Sequence, residues 1–121
     1  MPIPVTIADD SALSRKNVRR AIPEEWDVSI SEAKNGQEAV DAIEAGLAEI
    51  LFLDLTMPIL DGFDVLRYVK EHNKKTVVIV ISADIQPKSV ELVNSLGAFR
   101  FLQKPLKGEE LKQTLHEVGL I

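Results

Sequence analysis

The stretch LFLDLTMPILDG, residues 51–62, decides the fold and raises the first functional question. It begins as a continuous apolar run, which is typical of a strand covered on both faces of a sheet. The run ends at the carboxylate of Asp54, and a turn marked by Met57-Pro58 and Asp61-Gly62 follows. A buried carboxylate is costly unless it is paired or binds a cation. The sequence therefore predicts a strand that delivers Asp54 to a site where positive charge meets it.

Four further apolar runs rich in β-branched residues have strand character. The predicted strands are IPVTIA (3–8), WDVSIS (26–31), ILFL (50–53), TVVIVIS (76–82) and FRFL (99–102). Between them, apolar residues recur at helical spacing, so strand and helix segments alternate along the chain. This order predicts an α/β fold with a parallel sheet, right-handed crossovers and helices on the faces of the sheet.

Between the predicted strands, apolar residues at helical spacing form stripes, and residues typical of helix ends flank these stripes. The stripes are Val18, Ala21 and Ile22; Ala39, Ile43 and Leu47; Val65, Leu66 and Val69; Leu92, Val93 and Leu96; and Leu111, Leu115 and Val118. Asn35 precedes Glu38 by three residues, the spacing of a capping box, and Pro87 suits the first turn of a helix. The predicted helix ends are at Gly46, Gly97 and Gly119. The prediction is five helices within one domain over residues 1–121.

Composition and charge limit the classes of function. The 14 Lys and Arg residues against 19 Asp and Glu give a formal net charge of -5, which disfavours direct contact with nucleic acid. The one dense basic cluster, RKNVRR at residues 15–20, is interpreted as a solvated helix face, with docking of an acidic partner as the alternative. The absence of cysteine excludes disulfides and thiol chemistry. No signal-like start and no long apolar run is found, so a cytoplasmic location without membrane contact is expected.

The carboxyl ends of the predicted strands gather the candidate functional residues, and ligands of open parallel sheets bind outside those ends. The candidates are Asp9 and Asp10 after strand one, Asp54 after strand three, Ser82 at the end of strand four and Lys104 after strand five. Glu32, near the end of strand two, is the weakest candidate. Each residue alone has a simpler explanation, such as Asp10 or Ser11 capping a helix. Their joint placement on four strand ends favours a single site.

Three carboxylates at one point repel one another unless a cation is bound. Oxygen ligands without Cys or a nearby His select a hard cation, and Mg²⁺ is the best match. Such an ion together with the Lys104 ammonium would neutralise the carboxylates and allow a phosphoryl group to enter. We interpret Asp54 as a nucleophile that becomes an aspartyl phosphate, with Lys104 holding one phosphoryl oxygen and Ser82 donating a hydrogen bond to another.

Four motifs resemble those of a known family. They are DD at residues 9–10, LFLDLTMPILDG, VIVISAD at residues 78–84 and FLQKP at residues 101–105. Together they resemble the signatures of the CheY-like receiver domain of two-component response regulators, over essentially the whole chain. The resemblance implies a flavodoxin-like, doubly wound five-stranded parallel sheet in the order 2-1-3-4-5, an order already associated with this family. It also implies that a sensor histidine kinase phosphorylates Asp54 and that the peptide before Pro105 is cis.

The resemblance further implies roles for individual residues. The implied Mg²⁺ ligands are Asp9, Asp10, Asp54 and the backbone carbonyl of Thr56. Ser82 and Phe101 would be switch residues, and Thr56 and Asp84 would tune the lifetime of the aspartyl phosphate. The family has an aromatic at the position of Phe101, three residues before the lysine, and Phe101 lacks the hydroxyl that CheY carries there. The output would be a shift of the fourth helix, fifth strand and fifth helix that exposes a surface containing Ile85, Val90, Phe101 and Lys107.

Several alternatives stay open. A phosphohydrolase of the haloacid dehalogenase type would need a second Asp where Thr56 stands. A receiver-like adaptor could bind partners independently of phosphate. The chain could also be the receiver part of a longer protein with a CheC-type phosphatase or another effector domain. The favoured interpretation is a monomeric, non-enzymatic phosphoacceptor of chemotaxis-type signalling that catalyses only its own phosphorylation and dephosphorylation, with His72 and His116 on the surface.

Overall fold

The computed structural model describes residues 2–119, and its five parallel strands pair in the predicted order β2-β1-β3-β4-β5. The strands are β1 (Ile3–Ala8), β2 (Val28–Ala33), β3 (Ile50–Leu53), β4 (Val77–Ser82) and β5 (Arg100–Gln103). The helices are α1 (Ala12–Ala21), α2 (Gly36–Glu44), α3 (Gly62–Glu71), α4 (Pro87–Ser95) and α5 (Gly108–Val118). Strand and helix alternate without exception, as predicted. None of these described helices has both the length and the apolar character that crossing a membrane requires.

The apolar run of β3 explains the two cores of the molecule. Successive strand residues point to opposite faces of a sheet. Leu51 and Leu53 enter one apolar cluster, which includes side chains of α2, α3 and α4, whereas Ile50 and Phe52 enter the other, which includes side chains of α1 and α5. All four side chains are at most 1% exposed. Because both faces of the sheet are covered, β3 has no polar position before Asp54.

The predicted boundaries of the second strand are wrong by two residues. β2 begins at Val28 rather than at Trp26, and it continues through Glu32 to Ala33, which pairs with Ala8 of β1. Trp26 lies in the turn before the strand, where its backbone N–H bonds to the carbonyl of Pro23, and its ring is buried in the apolar cluster beside α1 and α5. The apolar ring therefore serves helix packing and not the sheet.

Most helix-end predictions are confirmed. The Asn35 side chain accepts a hydrogen bond from the Glu38 N–H, although the Glu38 carboxylate returns to the N–H of Lys34 rather than of Asn35. Pro87 lies in the first turn of α4. The three predicted end glycines have positive φ, as helix-terminating residues commonly do: Gly46, Gly97 and Gly119.

The predicted apolar stripe of the second helix is wrong at one position. Leu47 lies beyond the end of α2 and is 44% exposed, so it does not face the sheet. Its backbone carbonyl instead accepts a hydrogen bond from the buried Thr6 hydroxyl. The stripe of the fifth helix is confirmed for Leu111 and Leu115, which are fully buried, and the side chain of Val118 falls outside the described part of the chain.

Candidate functional site

Three carboxylates meet at the carboxyl edge of the sheet. Asp9 and Asp10 follow β1, and Asp54 follows β3, the strand next to β1. The chain after β1 enters α1 on one face of the sheet and the chain after β3 leads to α3 on the other, so this is the point where the connections diverge. One oxygen from each of the three carboxylates lies within 4.8 Å of the other two. The predicted acidic cluster is therefore present.

Backbone hydrogen bonds hold these residues beyond the ends of their strands. The Asp9 N–H donates to the Ala33 carbonyl of β2, and the Asp54 N–H donates to the Ala8 carbonyl of β1, each at 3.0 Å. Asp9 and Asp54 are buried, with 4% and 7% of their surface exposed, whereas Asp10 is exposed. The pocket thus has two sheltered carboxylates and one facing solvent.

Lys104 supplies the positive charge that the buried carboxylate of Asp54 requires. Its Nζ lies 2.8 Å from Asp9 Oδ2 and 3.6 Å from Asp54 Oδ1, and it also donates to the Ser14 hydroxyl at 3.2 Å. Lys104 follows β5, which is separated from β1 by β3 and β4, so only the folded sheet brings the two ends together. The Lys104-Pro105 peptide is cis, as the family resemblance implies.

Burial and neighbouring charges shift the pKa values of Asp54 and Lys104. Burial raises the pKa of Asp54 above its usual value, and the nearby Asp9 charge raises it further, while Lys104 opposes both effects. Burial by itself would lower the pKa of Lys104, but the hydrogen bond to Asp9 and the charges of Asp54 and Asp9 outweigh it and raise the pKa. Lys104 therefore stays protonated, and the ionised form of Asp54 is disfavoured relative to a solvated aspartate.

The segment from Asp54 to the start of α3 contains one position with no room for a side chain and one position with a strained backbone. A Cβ at Gly62 would lie 2.7 Å from the Leu55 Cα and would also clash with the Asp54 carbonyl oxygen, so only glycine fits against the backbone that carries Asp54. Ile59 has a φ of 72°, a left-handed conformation that is strained for a β-branched residue, and its side chain is 74% exposed. The close approach at Gly62 constrains the backbone of Asp54, and Ile59 presents an exposed apolar side chain five residues after Asp54.

Ser82 and Asp84 form a hydrogen-bonded turn at the end of β4. Ser82 is buried, and its hydroxyl accepts a hydrogen bond from the Asp84 N–H at 3.1 Å. The Asp84 carboxylate accepts from the Ser89 hydroxyl and from the Gln86 N–H, and these two bonds hold its pKa below the usual range. A chain of hydrogen bonds therefore connects Ser82 to the first turn of α4.

Of five other residues singled out from the sequence, four are exposed and one is half-buried. Thr56 lies two positions after Asp54 and is exposed, and Ile85 in the β4–α4 loop is 53% exposed. Phe101 in β5 is half-buried and packs against the larger apolar cluster. His72 and His116 are exposed on α3's C-terminal end and on α5, as predicted for surface histidines.

Glu32, the weakest sequence candidate, does not join the acidic cluster. Because β2 extends through it, its carboxylate reaches α1 and forms ion pairs with Arg15 at 2.7 Å and Arg19 at 2.9 Å. These two hydrogen bonds lower the pKa of Glu32 below its ordinary value. Glu32 is thus a counter-ion of the first helix.

The basic run at residues 15–20 is a solvated face only in part. Lys16, Arg19 and Arg20 are exposed, but Arg15 is only 8% exposed, so that interpretation is wrong for Arg15. Its Nη1 donates to the backbone carbonyl of Asp9 at 2.7 Å. Sequence reasoning missed this contact. The sequence feature that could have indicated the contact is the separation of six residues between Asp9 and Arg15. At that separation a long side chain in α1 can reach back to the end of β1.

An α/β sheet in the order 2-1-3-4-5 with an acidic cluster and a lysine at its carboxyl edge matches one class of protein. The family model for the response regulator receiver domain matches residues 5–116. The chain therefore belongs to the response regulator receiver domain family, and the predicted family and fold are confirmed. It is a signalling domain of the CheY-like type.

Individual relatives and solved structures are similar to this chain. It is 38% identical over 107 residues to protein-glutamate methylesterase/protein-glutamine glutaminase 3 of Geobacter sulfurreducens, an alignment that covers 88% of this chain and 29% of the relative. The receiver domain of AraT from Geobacillus stearothermophilus superposes with a TM-score of 0.85 at 30% identity, over 98% of this chain and 93% of that one. The receiver domain of the putative response regulator NarL from Mycobacterium tuberculosis gives a TM-score of 0.87 at 31% identity, over 97% and 95%.

The chain spans about three-tenths of the length of the methylesterase relatives that it matches, namely 29%, 32% and 29%. The similarity therefore concerns the receiver part of those proteins.

Proposed function

We propose that this receiver domain, residues 1–121, accepts a phosphoryl group on Asp54 from a histidine kinase in a Mg²⁺-dependent reaction and then switches a protein-binding surface. The observation that carries the proposal is the position of Asp54: a sheltered carboxylate with Asp9, Asp10 and Lys104 around it. On this proposal the chain is not an enzyme acting on other molecules, since the chemistry is confined to its own phosphorylation and dephosphorylation.

The donor set fits Mg²⁺. Three carboxylate oxygens within 4.8 Å of one another, with no sulfur or imidazole ligand among them, are a hard, oxygen-only set. The residues that would hold the ion are Asp9, Asp10, Asp54 and the backbone carbonyl of Thr56. When bound, the ion supplies charge neutralisation for the oxygens of the transferring phosphoryl group.

The side chains of this protein would perform the transfer as follows. An Asp54 carboxylate oxygen attacks phosphorus, an oxygen–phosphorus bond forms, and the nitrogen–phosphorus bond to the donor histidine breaks. Lys104, whose pKa is raised, remains a cation near Asp54 and would contact one phosphoryl oxygen. The Ser82 hydroxyl would donate to another oxygen. Thr56 and Asp84, on the two loops that flank the pocket, would control access of the water that later hydrolyses the aspartyl phosphate.

The proposed output begins at Ser82. Its hydroxyl accepts the Asp84 N–H in the present structure, and a phosphoryl group would offer that hydroxyl a charged acceptor instead. Movement of Ser82 would pull on the turn that leads into α4, while Phe101, half-buried in β5, would repack. The equilibrium between two conformations of the α4–β5–α5 face, which carries Ile85, Val90 and Lys107, would shift and change what that face binds.

The partner of the site would be the protein that carries the phosphohistidine. Its surface has to close over the carboxyl edge of the sheet to bring phosphorus to Asp54. Three large apolar side chains stand exposed at that edge, on three different segments: Leu13 in α1, Ile59 after β3 and Ile85 after β4. Apolar contacts at the centre of an interface carry much of its binding energy. We assign these three residues to the kinase-contacting surface, which shares Ile85 with the proposed output face.

The output partner is a downstream protein or a fused effector domain. The similarity to the receiver part of methylesterases supports a methylesterase as the proposed effector, in preference to the CheC-type phosphatase of the sequence hypothesis. The chemotaxis-type pathway, the cytoplasmic location and the monomeric state stay predictions.

A direct test is phosphorylation by a small acyl phosphate, followed by intact-mass measurement. With Mg²⁺, we expect the wild-type protein to gain one phosphoryl group, and with EDTA in place of Mg²⁺ we expect no gain, because the carboxylate cluster then repels the phosphoryl oxygens. No gain under either condition would favour the phosphate-independent adaptor.

Replacing Ile59 by asparagine separates docking from chemistry. Asparagine tolerates a positive φ better than isoleucine does, so we expect the free energy of unfolding to rise by about 1 kcal/mol. Phosphorylation by acyl phosphate should be unchanged. Transfer from a phosphorylated histidine kinase that is active on the wild type should slow by about fivefold, the effect of losing an apolar contact worth about 1 kcal/mol.

Urea unfolding and a timed transfer assay measure the two effects of Ile59→Asn. The matched control is Leu47→Asn, since Leu47 is also an exposed apolar residue, at 44%, but lies after α2 at the opposite edge of the sheet. It should leave transfer unchanged. Equal rates of kinase transfer for Ile59→Asn and the wild type would remove Ile59 from the docking surface.

A further inference from the structure

Arg15 joins the first helix to the backbone of the acidic pocket. In α1 it is 8% exposed, with its Nη1 donating to the Asp9 backbone carbonyl at 2.7 Å and its Nε donating to Glu32 Oε1 at 2.7 Å. The second Glu32 oxygen accepts from Arg19 at 2.9 Å. These contacts form a bridge from α1 to the ends of β1 and β2.

The Asp9 carbonyl lies where the sheet ceases to provide partners. β1 ends at Ala8, whose carbonyl accepts the N–H of Asp54, and the Asp9 N–H is bound by the Ala33 carbonyl of β2. Arg15 binds the next carbonyl, so the backbone of Asp9 is held at both its N–H and its C=O. That carbonyl belongs to the peptide that joins Asp9 to Asp10, and its orientation therefore affects both carboxylates.

We propose that Arg15, oriented by Glu32, is a positioning residue that fixes the Asp9–Asp10 peptide so that both carboxylates face Asp54. The inference rests on the proposed function and deepens it, because it names the residues that set the cation affinity of that site. Arg15 does not contact the reacting atoms. It acts through the backbone of Asp9.

The chemistry of the guanidinium suits this role. Arginine presents several N–H groups in one rigid plane, so it can bond a carboxylate with Nε and a carbonyl with Nη1 at the same time. A lysine ammonium at the end of a flexible chain lacks that fixed geometry. A buried cation needs a partner, and Glu32 supplies the opposite charge while leaving Nη1 free to bind the carbonyl. Loss of such an outer contact to ligating residues commonly weakens metal affinity by about 10–100-fold.

The experiment measures Mg²⁺ binding to the full chain by calorimetry, with Mg²⁺ alone as the probe, for the wild type, Arg15→Lys, Arg15→Met and Glu32→Gln. We expect the Mg²⁺ Kd to rise by about tenfold in the Arg15 variants and by a smaller factor in Glu32→Gln. Phosphorylation by acyl phosphate should slow at low Mg²⁺ and recover at saturating Mg²⁺. A general loss of structure would lower the rate at all Mg²⁺ concentrations.

The matched control is Arg20→Gln, which removes one positive charge from an exposed position of the same helix. It should bind Mg²⁺ with wild-type affinity. If Arg15→Met does not fold, Arg15→Lys, which keeps the charge, still tests the positioning role of Arg15. Wild-type affinity in Arg15→Lys, or an equal loss in Arg20→Gln, would overturn the positioning role. A wild-type protein that neither binds Mg²⁺ nor is phosphorylated would instead overturn the proposed function.

Discussion

Replacing Asp54 by asparagine is expected to abolish phosphorylation completely and, at the same time, to make the fold more stable at neutral pH. The amide is not a nucleophile toward phosphorus, so the mass gain with acyl phosphate and Mg²⁺ should disappear. The gain in stability follows from the electrostatics of the pocket. Burial and the charge of Asp9 disfavour the ionised form of Asp54 and raise its pKa. A neutral amide of the same shape removes that unfavourable charge.

The pH dependence of this effect has a definite sign. Because the pKa of Asp54 is raised in the folded state, that state binds a proton more tightly than the unfolded chain does. The stability that protonation provides is present below the unfolded pKa of about 4 and is lost as pH rises through the folded pKa. The stability advantage of Asp54→Asn over the wild type should therefore be smallest at acid pH. It should grow with pH until Asp54 is fully ionised, and then stay constant.

Urea unfolding at a series of pH values in EDTA measures this difference. Asp84→Asn is a control of opposite sign, because hydrogen bonds from Ser89 and Gln86 lower the pKa of Asp84. Its ionised form stabilises the fold above the unfolded pKa, so its replacement should destabilise the protein at neutral pH. An Asp54→Asn protein that is less stable than the wild type at pH 7, or that still gains a phosphoryl group, would contradict the account of the pocket.

Replacing Gly62 by alanine is expected to be the most destabilising single-methyl change in the site. The added Cβ would lie 2.7 Å from the Leu55 Cα and 3.1 Å from the Asp54 carbonyl carbon, with the carbonyl oxygen closer still. These are backbone atoms of the segment that leaves β3, and they cannot rotate away as a side chain can. We expect a loss of about 3 kcal/mol in the free energy of unfolding, at the upper end for overpacking.

The position of the clash predicts a functional effect as well. The methyl group would displace the backbone of Asp54 itself, so any protein that folds should be phosphorylated more slowly by acyl phosphate at saturating Mg²⁺. Thermal or urea unfolding and the mass assay check the two effects.

Gly108→Ala is the matched control for Gly62→Ala. Gly108 begins α5, its φ is not positive, and a Cβ there would meet no atom within 4 Å. Since alanine loses less conformational entropy than glycine on folding, this variant should be neutral or more stable by about 0.5–1 kcal/mol. Equal stability of Gly62→Ala and Gly108→Ala would show that the loop after Asp54 can move aside.

The one-dimensional pattern determined the architecture and the members of the acidic cluster. Continuous apolar runs such as residues 50–53 identify strands covered on both faces, and helical spacing between them implies a parallel sheet. Once the strands are parallel, their carboxyl ends share one edge. Asp9, Asp54 and Lys104 could therefore be assigned to one place before any distance was known. This inference needed only chain direction and strand order.

Only the tertiary structure decided which polar side chains turn toward the pocket and which pair elsewhere. Glu32 and Arg15 belong by their sequence context to a strand end and a solvated basic run, yet they pair, and Arg15 binds the Asp9 carbonyl. The strained backbone and the exposed side chain of Ile59 could likewise not be predicted from the sequence. Periodicity reports which face of an element is apolar. The partner of a long charged side chain depends on distances between elements far apart in the chain, and those distances exist only after the sheet and its helices have packed.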